Sequence, residues 1–479
     1  MQIVSSTLVA LILCALMAVR GPYRGLVIFF GVMPMGAMAA FNLPAVGGAT
    51  ITASDLAILV LFGSLALRPQ GLADMAGSLR PGQPGFWLLL LMVYATLATL
   101  FFPRVFEGQT DVFGIGRVAN AIGIVIRPLR PDGGNLSQLF RMMLSALAFV
   151  TMATVFRRNP DVGAIRRAMI AATLVHAGLG VMDVATYATG TGWLMEVFRT
   201  ANYTLTVNHE MSGVKRMIGG FPEASAFGYF TLGIFGFWLR FWLSSPNDRA
   251  TGFYLLLTVA VLLRSTSSSA YVAGAGLVLV LTMRALLSGG MGSTVSRRIG
   301  WVIGVVLALV PVVVLSVLWA YETMPGVRAF LDRSLLNKME SDSGVERMSW
   351  NAQAFRNFLD TWMLGAGLGS VRASNWIIAS LATLGAIGTG LIMAWVWAVL
   401  RVRSLRATPP VTVMIRALQV GCLGLLIRAL VVKASPNLDV LFFAMAGAAV
   451  GLARAKVTVS ATNLAELPVF KAIRPQRAM

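Results

Sequence analysis

The chain is short of the residues from which most catalytic centres are assembled. It has two cysteines, Cys14 and Cys422, both inside apolar segments, so it offers no disulfide framework and no thiolate metal spacing. It has two histidines, His176 deep in an apolar run and His209 in a loop, and no HExxH, CxxC or GxxxxGK[ST] pattern. Those absences argue against nucleotide hydrolysis and zinc chemistry, and no metal or other cofactor is expected. Charge is scarce as well: Asp, Glu, Lys and Arg make up 12% of the residues, too few to clothe a soluble protein of this size.

What is present is hydrophobic sequence. Residues of the apolar class account for 57% of the chain, and run after run approaches the roughly 20 residues that cross a bilayer. The pattern predicts an all-α polytopic membrane protein of about 12–14 transmembrane helices. The expected spans are 3–19, 25–43, 51–67, 86–102, 136–156, 168–188, 223–245, 251–264, 268–287, 299–320, 374–400, 411–432 and 438–454. The first is read as a retained helix, because no basic residue precedes it and no small-residue cleavage site stands out. Residues 1–456 form one membrane domain on this reading, followed by a basic tail, 457–479.

The net charge of +20 is mostly a topology signal. If the loop holding Arg20 and Arg24 is cytoplasmic, alternate loops and the C-terminal tail carry the larger share of the cations and few acids, which predicts an outside N-terminus and a cytoplasmic C-terminus. Nucleic-acid binding, the other common meaning of a basic chain, needs a basic soluble face that the sequence does not offer. Three of the outside loops are long, 103–135, 189–222 and 321–373, and loops of that length usually carry function. Within the first, the apolar stretch Val118–Ile126 between Arg117 and Arg127 is expected to lie in the interface as a helix. GAGLGS at 365–370 has loosely the glycine spacing of a dinucleotide loop, but without a preceding strand it reads as a flexible, close-packed lead-in to the helix starting near Ser374.

The chemistry that remains is cationic and lies at the outer ends of spans. Lys215 and Arg216 precede the seventh span, Arg264 ends the eighth, Arg347 lies in GVERMSWNAQAF and Arg372 in GSVRASNW. Ionisable residues beside lipid are costly, and a guanidinium fork suits phosphate or pyrophosphate. One such arginine alone is equally well explained by snorkelling to headgroups or by pairing with an acid such as Glu346. Four together, flanked by small polar residues, favour an anion site. In KRMIGGFPEASAFGYF the glycines and proline are expected to open a cavity and to set Glu223 at the first turn of a helix facing it. Two roles stay open for Glu223: complementing the helix N-terminus, or taking a proton. Trp193, Tyr203, Tyr229, Tyr271, Tyr321, Trp350 and Trp376 are expected on the same side, mostly as an interfacial aromatic belt, with sugar stacking as the alternative.

Three stretches together resemble the bacterial O-antigen ligase and polymerase superfamily, integral membrane glycosyltransferases of the periplasmic face. They are Arg216 with GGFPEASAFGYF, LLRSTSSSAYVAGAGLVLV with Arg264, and ERMSWNAQAFRNFLDTWMLGAGLGSVRASNWIIASLATLGAIGTGL; the resemblance covers about 200–400. It implies a C-type membrane glycosyltransferase-like fold with long periplasmic loops in the bacterial inner membrane. It also implies an undecaprenyl-pyrophosphate-linked oligosaccharide as substrate, with membrane lipid around it and a chain-length regulator and export machinery as partner classes. In the family's ligases a histidine followed by asparagine precedes the helix after the long loop. Here that place reads Arg372, Ala373, Ser374, Asn375, a departure that points away from a ligase and toward a polymerase of O-antigen, capsule or exopolysaccharide.

The resemblance then implies a metal-independent, inverting transfer. Arg216 and Arg264, with Arg347 or Arg372, would hold the donor pyrophosphate, and Glu223 would be the base. Two alternatives stand beside it: a ligase acting on lipid A-core, and a flippase or transporter of lipid-linked sugars, for which Arg416 and Arg428 within the twelfth span are the main features.

Overall fold

The computed structural model describes residues 2–43, 49–118, 121–202, 205–206, 210–211, 214–245, 248–287, 294–334, 342–404 and 408–455. The expected tail at 457–479, His209 and Tyr203 lie outside the described residues. The chain begins with α1 (Thr7–Arg24), α2 (Leu26–Val32), the hairpin strands β1 (Ala39–Leu43) and β2 (Ala49–Thr52), α3 (Ala53–Ala66), α4 (Gly71–Ser78) and α5 (Pro84–Val105). A second hairpin, β3 (Asp111–Val118) and β4 (Ala121–Pro128), leads to α6 (Gly133–Arg158) and α7 (Val162–Ala188). After a 3-10 turn (Gly192–Phe198) and the short strands β5 (Glu210–Met211) and β6 (Val214–Lys215) come α8 (Ala224–Ser244), α9 (Arg249–Arg264), α10 (Ser268–Leu287) and α11 (Thr294–Thr323). The chain closes with α12 (Pro325–Ser334), α13 (Asp342–Asp360), α14 (Trp376–Arg401), α15 (Pro409–Val431) and α16 (Asp439–Arg454).

The protein is an all-α polytopic membrane protein. Among the described residues eight helices are long and apolar enough to cross a membrane (α1, α5, α6, α7, α8, α10, α14 and α15), and α3 with α4, bent by 114°, makes a ninth if counted as one broken span. That is fewer than thirteen, for local reasons. The expected span 25–43 stops being helical at Val32, because Pro34 and the glycines around it end α2 and the chain turns into β1. The expected spans 251–264 and 438–454 are helices of 16 residues each, about 24 Å long against a hydrocarbon core of about 30 Å. The span 299–320 lies within α11, a helix of 30 residues.

The first long loop also differs from expectation. Val118–Ile126 is not an interfacial helix: residues 121–128 form β4, paired in register with β3 from Asp111↔Pro128 to Val118↔Ala121. The segment is rich in Val and Ile, which favour strands over helices, and its polar backbone finds partners across the hairpin. The hairpin is anchored on α13, where Asn357 Nδ2 donates to Thr110 Oγ1 at 2.8 Å and to the Asp111 carbonyl at 2.6 Å.

Two close helix pairs make the centre. α16 lies along α6, with Gly447 and Gly451 one turn apart facing the carbonyls of Phe149 and Ala153; α8 lies along α15 through Gly236 and Gly421. Without side chains at those points the backbones approach far enough for dispersion to hold helices that lipid gives no hydrophobic reason to associate. Lining that centre are Phe149, Trp395, Phe442 and Phe443, all fully buried.

GAGLGS is close-packed, as expected, but it is pinned by hydrogen bonds and not flexible. α14 breaks at Gly385 (φ 64°, ψ −170°), and the carbonyls freed by the break are taken by the loop: the N–H of Ala366 donates to Ala382 O at 2.8 Å and that of Gly367 to Thr383 O at 2.9 Å. In return Ala386 N–H donates to Met363 O at 2.8 Å. The positive φ of Gly365, Gly367 and Gly369 lets the loop follow that path, so these glycines answer to the geometry of the helix break.

Candidate functional site

One end of the bundle gathers the C-terminal ends of α7, α9 and α15 and the N-terminal ends of α8 and α14, together with the loops before and after them. Its foundation is Asp183, a carboxylate near the end of α7 that is 1% exposed. Asp183 Oδ1 accepts from Arg199 and, at 3.2 Å, from Lys215 Nζ; Oδ2 accepts from the backbone N–H of Ile218 at 2.8 Å and of Gly219 at 3.1 Å. Four donors on one carboxylate fix the lead-in to α8 against α7. Lys215 therefore stands apart from the anion site expected of it: it is 6% exposed and bound to Asp183, with further contacts to the Arg216 carbonyl and the face of the Tyr187 ring. Burial pushes the Lys215 ammonium below its ordinary value and Asp183 pulls it back up.

The glycine pair in this lead-in is packed shut and does not open a cavity. Gly219 (φ 51°) lies against Phe227 and the Gly180 backbone, and a side chain on Gly220 would stand 2.6 Å from the Pro34 carbonyl. The open space is on the far side of Lys215, a cavity of about 330 Å³ lined by Asp183, Thr186, Tyr187, Glu196, Arg199 and Lys215.

From that clamp Arg216 extends toward the α9–α10 turn, where its Nη2 donates to the Thr266 carbonyl at 3.3 Å. Thr266 sits at φ 50°, a left-handed conformation that is rare and strained for a β-branched residue, costing of order 1–3 kcal/mol. Arg264 lies behind the lead-in, donating Nη1 to the Lys215 carbonyl at 2.9 Å. Tyr271 stands within electrostatic reach of both Arg216 and Arg264.

Glu223 is the residue just before α8, one position earlier than the first turn expected for it. Its carboxylate does not cap the helix; it accepts from the Ser225 hydroxyl and is exposed to the space in front of the site. Three guanidiniums feel its charge: Arg216, Arg372 and Arg428. Arg347, on α13, is close enough to act on both Arg216 and Arg428. Burial pushes Arg216 down from its ordinary value, Glu223 pulls it back up and Arg347 pushes it down again. Arg372 is lowered by burial too and raised by Glu346 and Glu223; its guanidinium stacks 4.2 Å from the centre of the Trp350 ring. Four arginines with two carboxylates, Glu223 and Glu346, leave the cluster net positive.

Arg428, in the last turn of α15, belongs to this cluster. It ends α15 at 1% exposure, with Nη1 on the Val432 carbonyl at 3.0 Å and Nη2 on the Ser225 carbonyl at 3.4 Å, two residues from Glu223. The Nε–H groups of Arg372 and Arg428 are buried without an acceptor, as are those of the ion-paired Arg127, Arg166 and Arg199. Neighbouring polar contacts hold the frame: Asn351 Oδ1 accepts from Ser374 N–H at 2.7 Å, and Asn375 caps α14 while donating to the Leu430 carbonyl at 2.7 Å.

The aromatics divide. Trp376 is buried with Nε1 on the Pro436 carbonyl, Tyr229 is buried with its hydroxyl on the Leu438 carbonyl, and Trp350 is covered by Arg372. Tyr321 donates to Asp332, and Trp193 is 65% exposed. His176 is buried in the span, its Nε2 2.8 Å from Thr231 Oγ1 and its ring stacked on Phe227.

Sequence reasoning passed over Asp183, although a carboxylate inside an apolar helix is the kind of signal that marks a built interaction. No protein-family profile matches the chain, and no curated protein and no solved structure matches it either.

Proposed function

We propose that the protein is a polysaccharide polymerase of the bacterial inner membrane, related in kind to the O-antigen ligase and polymerase superfamily, working on lipid-linked repeat units at the periplasmic face. The observation that carries this reading is the meeting of Arg216, Arg347, Arg372 and Arg428 around the carboxylate of Glu223 at one end of the bundle. Permanently charged forks arranged from four separate segments suit a pyrophosphate, and an exposed carboxylate beside them suits the proton of an incoming hydroxyl.

In the reaction, the donor glycan is linked through its anomeric carbon to undecaprenyl pyrophosphate. A hydroxyl of the acceptor, a second lipid-linked repeat unit, attacks that carbon. The new glycosidic C–O bond forms as the bond to the pyrophosphate oxygen breaks, the hydroxyl proton passes to Glu223, and the bonding pair leaves with the pyrophosphate. The arginines stabilise the charge that grows there, which is where preorganised donors contribute most. One displacement inverts the anomeric centre. Arg264 supports the site from behind through the Lys215 carbonyl.

The position of Arg428 beside Ser225 supports a polymerase over a flippase, since it removes one of the two charges that favoured a path through the membrane. Glu223→Gln keeps the shape and removes the base, and is expected to lower polymer formation by roughly 10²-fold or more, with single lipid-linked repeat units accumulating. Normal polymer length and yield from a correctly inserted, normally expressed Glu223→Gln protein would exclude Glu223 as base. In a deletion strain, repeat units trapped on the cytoplasmic side would replace this reading with a flippase, and free polymer not attached to lipid A with a ligase.

A further inference from the structure

The end of the molecule opposite Glu223 holds a second cationic cluster, built from three different helices. Arg240 lies on α8 one turn before its end at Ser244, Arg284 on the last turn of α10, and Arg416 two turns into α15, which runs the other way. α8, α10 and α15 pack on one another through Leu232, Leu277 and Val420, which brings the three arginines to one place. The charges of Arg416 and Arg284 act on Arg240, and no carboxylate is among the groups that do. Among the described residues none of the three forms an ion pair. Three other cations at this end have partners: Arg158 with Asp74, Arg166 with Asp248, and Arg298 with the ring and carbonyl of Trp242.

Three guanidiniums at the edge of an apolar bundle repel one another, and an anion among them would relieve that repulsion. Arg240 is half-buried on a helix that is otherwise mostly enclosed, so water alone screens it poorly. A second observation names the kind of anion. Along one face of α10 runs a shallow apolar recess of about 560 Å³, lined among the described residues by Leu279, Val280, Met283, Leu287 and the polar Arg284. From Leu279 to Arg284 the recess follows the helix for about 8 Å, roughly half of the about 15 Å of hydrocarbon in one leaflet. Arg284 thus stands within the recess, with the apolar Leu279, Val280 and Met283 on the side toward the middle of α10, where an acyl chain attached to a phosphate at Arg284 would lie.

We infer that Arg240, Arg284 and Arg416 with the α10 recess form a binding site for an anionic phospholipid, the arginines holding the headgroup phosphate and the recess one acyl chain. Basic clusters between membrane helices recognise anionic headgroups through this combination of charge and depth. The site is independent of the chemistry at Glu223: it lies at the other end of α8, and no residue is shared.

The test uses the purified full-length protein in neutral detergent, with lipid retention read by native mass spectrometry and protection by thermal melting. Dioleoylphosphatidylglycerol is expected to be retained at least tenfold better than dioleoylphosphatidylcholine. Arg284→Gln and Arg416→Gln, both at exposed positions that tolerate the change, should each reduce that preference by about fivefold. Leu279→Asn, on the acyl side of Arg284, should weaken both lipids alike. Equal retention of the two lipids, or a preference unchanged in the Arg284→Gln/Arg416→Gln double variant, would overturn the site. Protection by inorganic phosphate alone, equal to that by phosphatidylglycerol, would reduce it to a surface that collects anions and would overturn the lipid assignment.

Discussion

Asp183→Ala is expected to destabilise the protein by about 3–5 kcal/mol, because it leaves two buried cations facing each other without their shared carboxylate. Arg199 and Lys215 have side chains 8% and 5% exposed, so solvent gives back little of the loss. The same change removes the acceptor of the Ile218 and Gly219 amides, and an unsatisfied buried N–H is itself costly. The clamp also sets where Arg216 starts, so activity should fall further than stability does. Thermal melting of purified protein beside polymer yield in membranes separates the two effects. The triple variant Asp183→Leu/Arg199→Met/Lys215→Met removes every buried charge and should regain much of the stability, as apolar replacements of buried ion networks do. It should not regain polymer yield, because the lead-in amides stay unanchored. An Asp183→Ala protein within about 1 kcal/mol of the native one would mean that the clamp contributes little.

Gly385→Ala should be comparably severe for a different reason. At φ 64° and ψ −170° the backbone is in a region that only glycine occupies readily, which costs an alanine of order 1–3 kcal/mol before any contact is counted. A Cβ there would also stand 2.3 Å from the Leu364 carbonyl oxygen and 2.4 Å from that of Met363. Both are main-chain atoms of the loop that closes the helix break, so neither can yield without breaking the hydrogen bonds of Ala366, Gly367 and Ala386. A total near or above 3 kcal/mol follows. Gly390→Ala, five residues on in the same helix with nothing within 4 Å of its added carbon, is the matched control and should be neutral or slightly stabilising. Equal melting temperatures for Gly385→Ala and Gly390→Ala would refute the account of the break. Because the loop leads directly to Arg372, loss of the break should also weaken the anion cluster.

Much of the membrane domain was legible because lipid imposes one rule on every span: a long apolar run whose backbone bonds internally. The eight helices that meet that rule all match runs read from composition. The errors came where an apolar run had another use. Pro34 ended α2 after seven residues although the hydrophobicity continued, and the Val- and Ile-rich 121–128 paired across a hairpin because β-branched side chains suit a strand. Hydrophobicity told that these segments avoid water. It did not tell which backbone partner they take.

The candidate site shows the same division. The sequence by itself determined a membrane protein whose scarce charges lie at helix ends, and it singled out Glu223, Arg216, Arg264, Arg347 and Arg372, since charge beside lipid is too costly to be incidental. Only the tertiary structure decided which of them meet. It brought Arg428 from α15 to the Ser225 carbonyl, drew Lys215 away to Asp183, and set Arg264 behind the lead-in. It also turned the glycines of KRMIGGFPEASAFGYF from cavity-makers into contact points against Phe227 and Pro34. Cost is a property of a residue and its local surroundings and can be read along a chain; partnership depends on distances between segments hundreds of residues apart, and these exist only once the helices have packed.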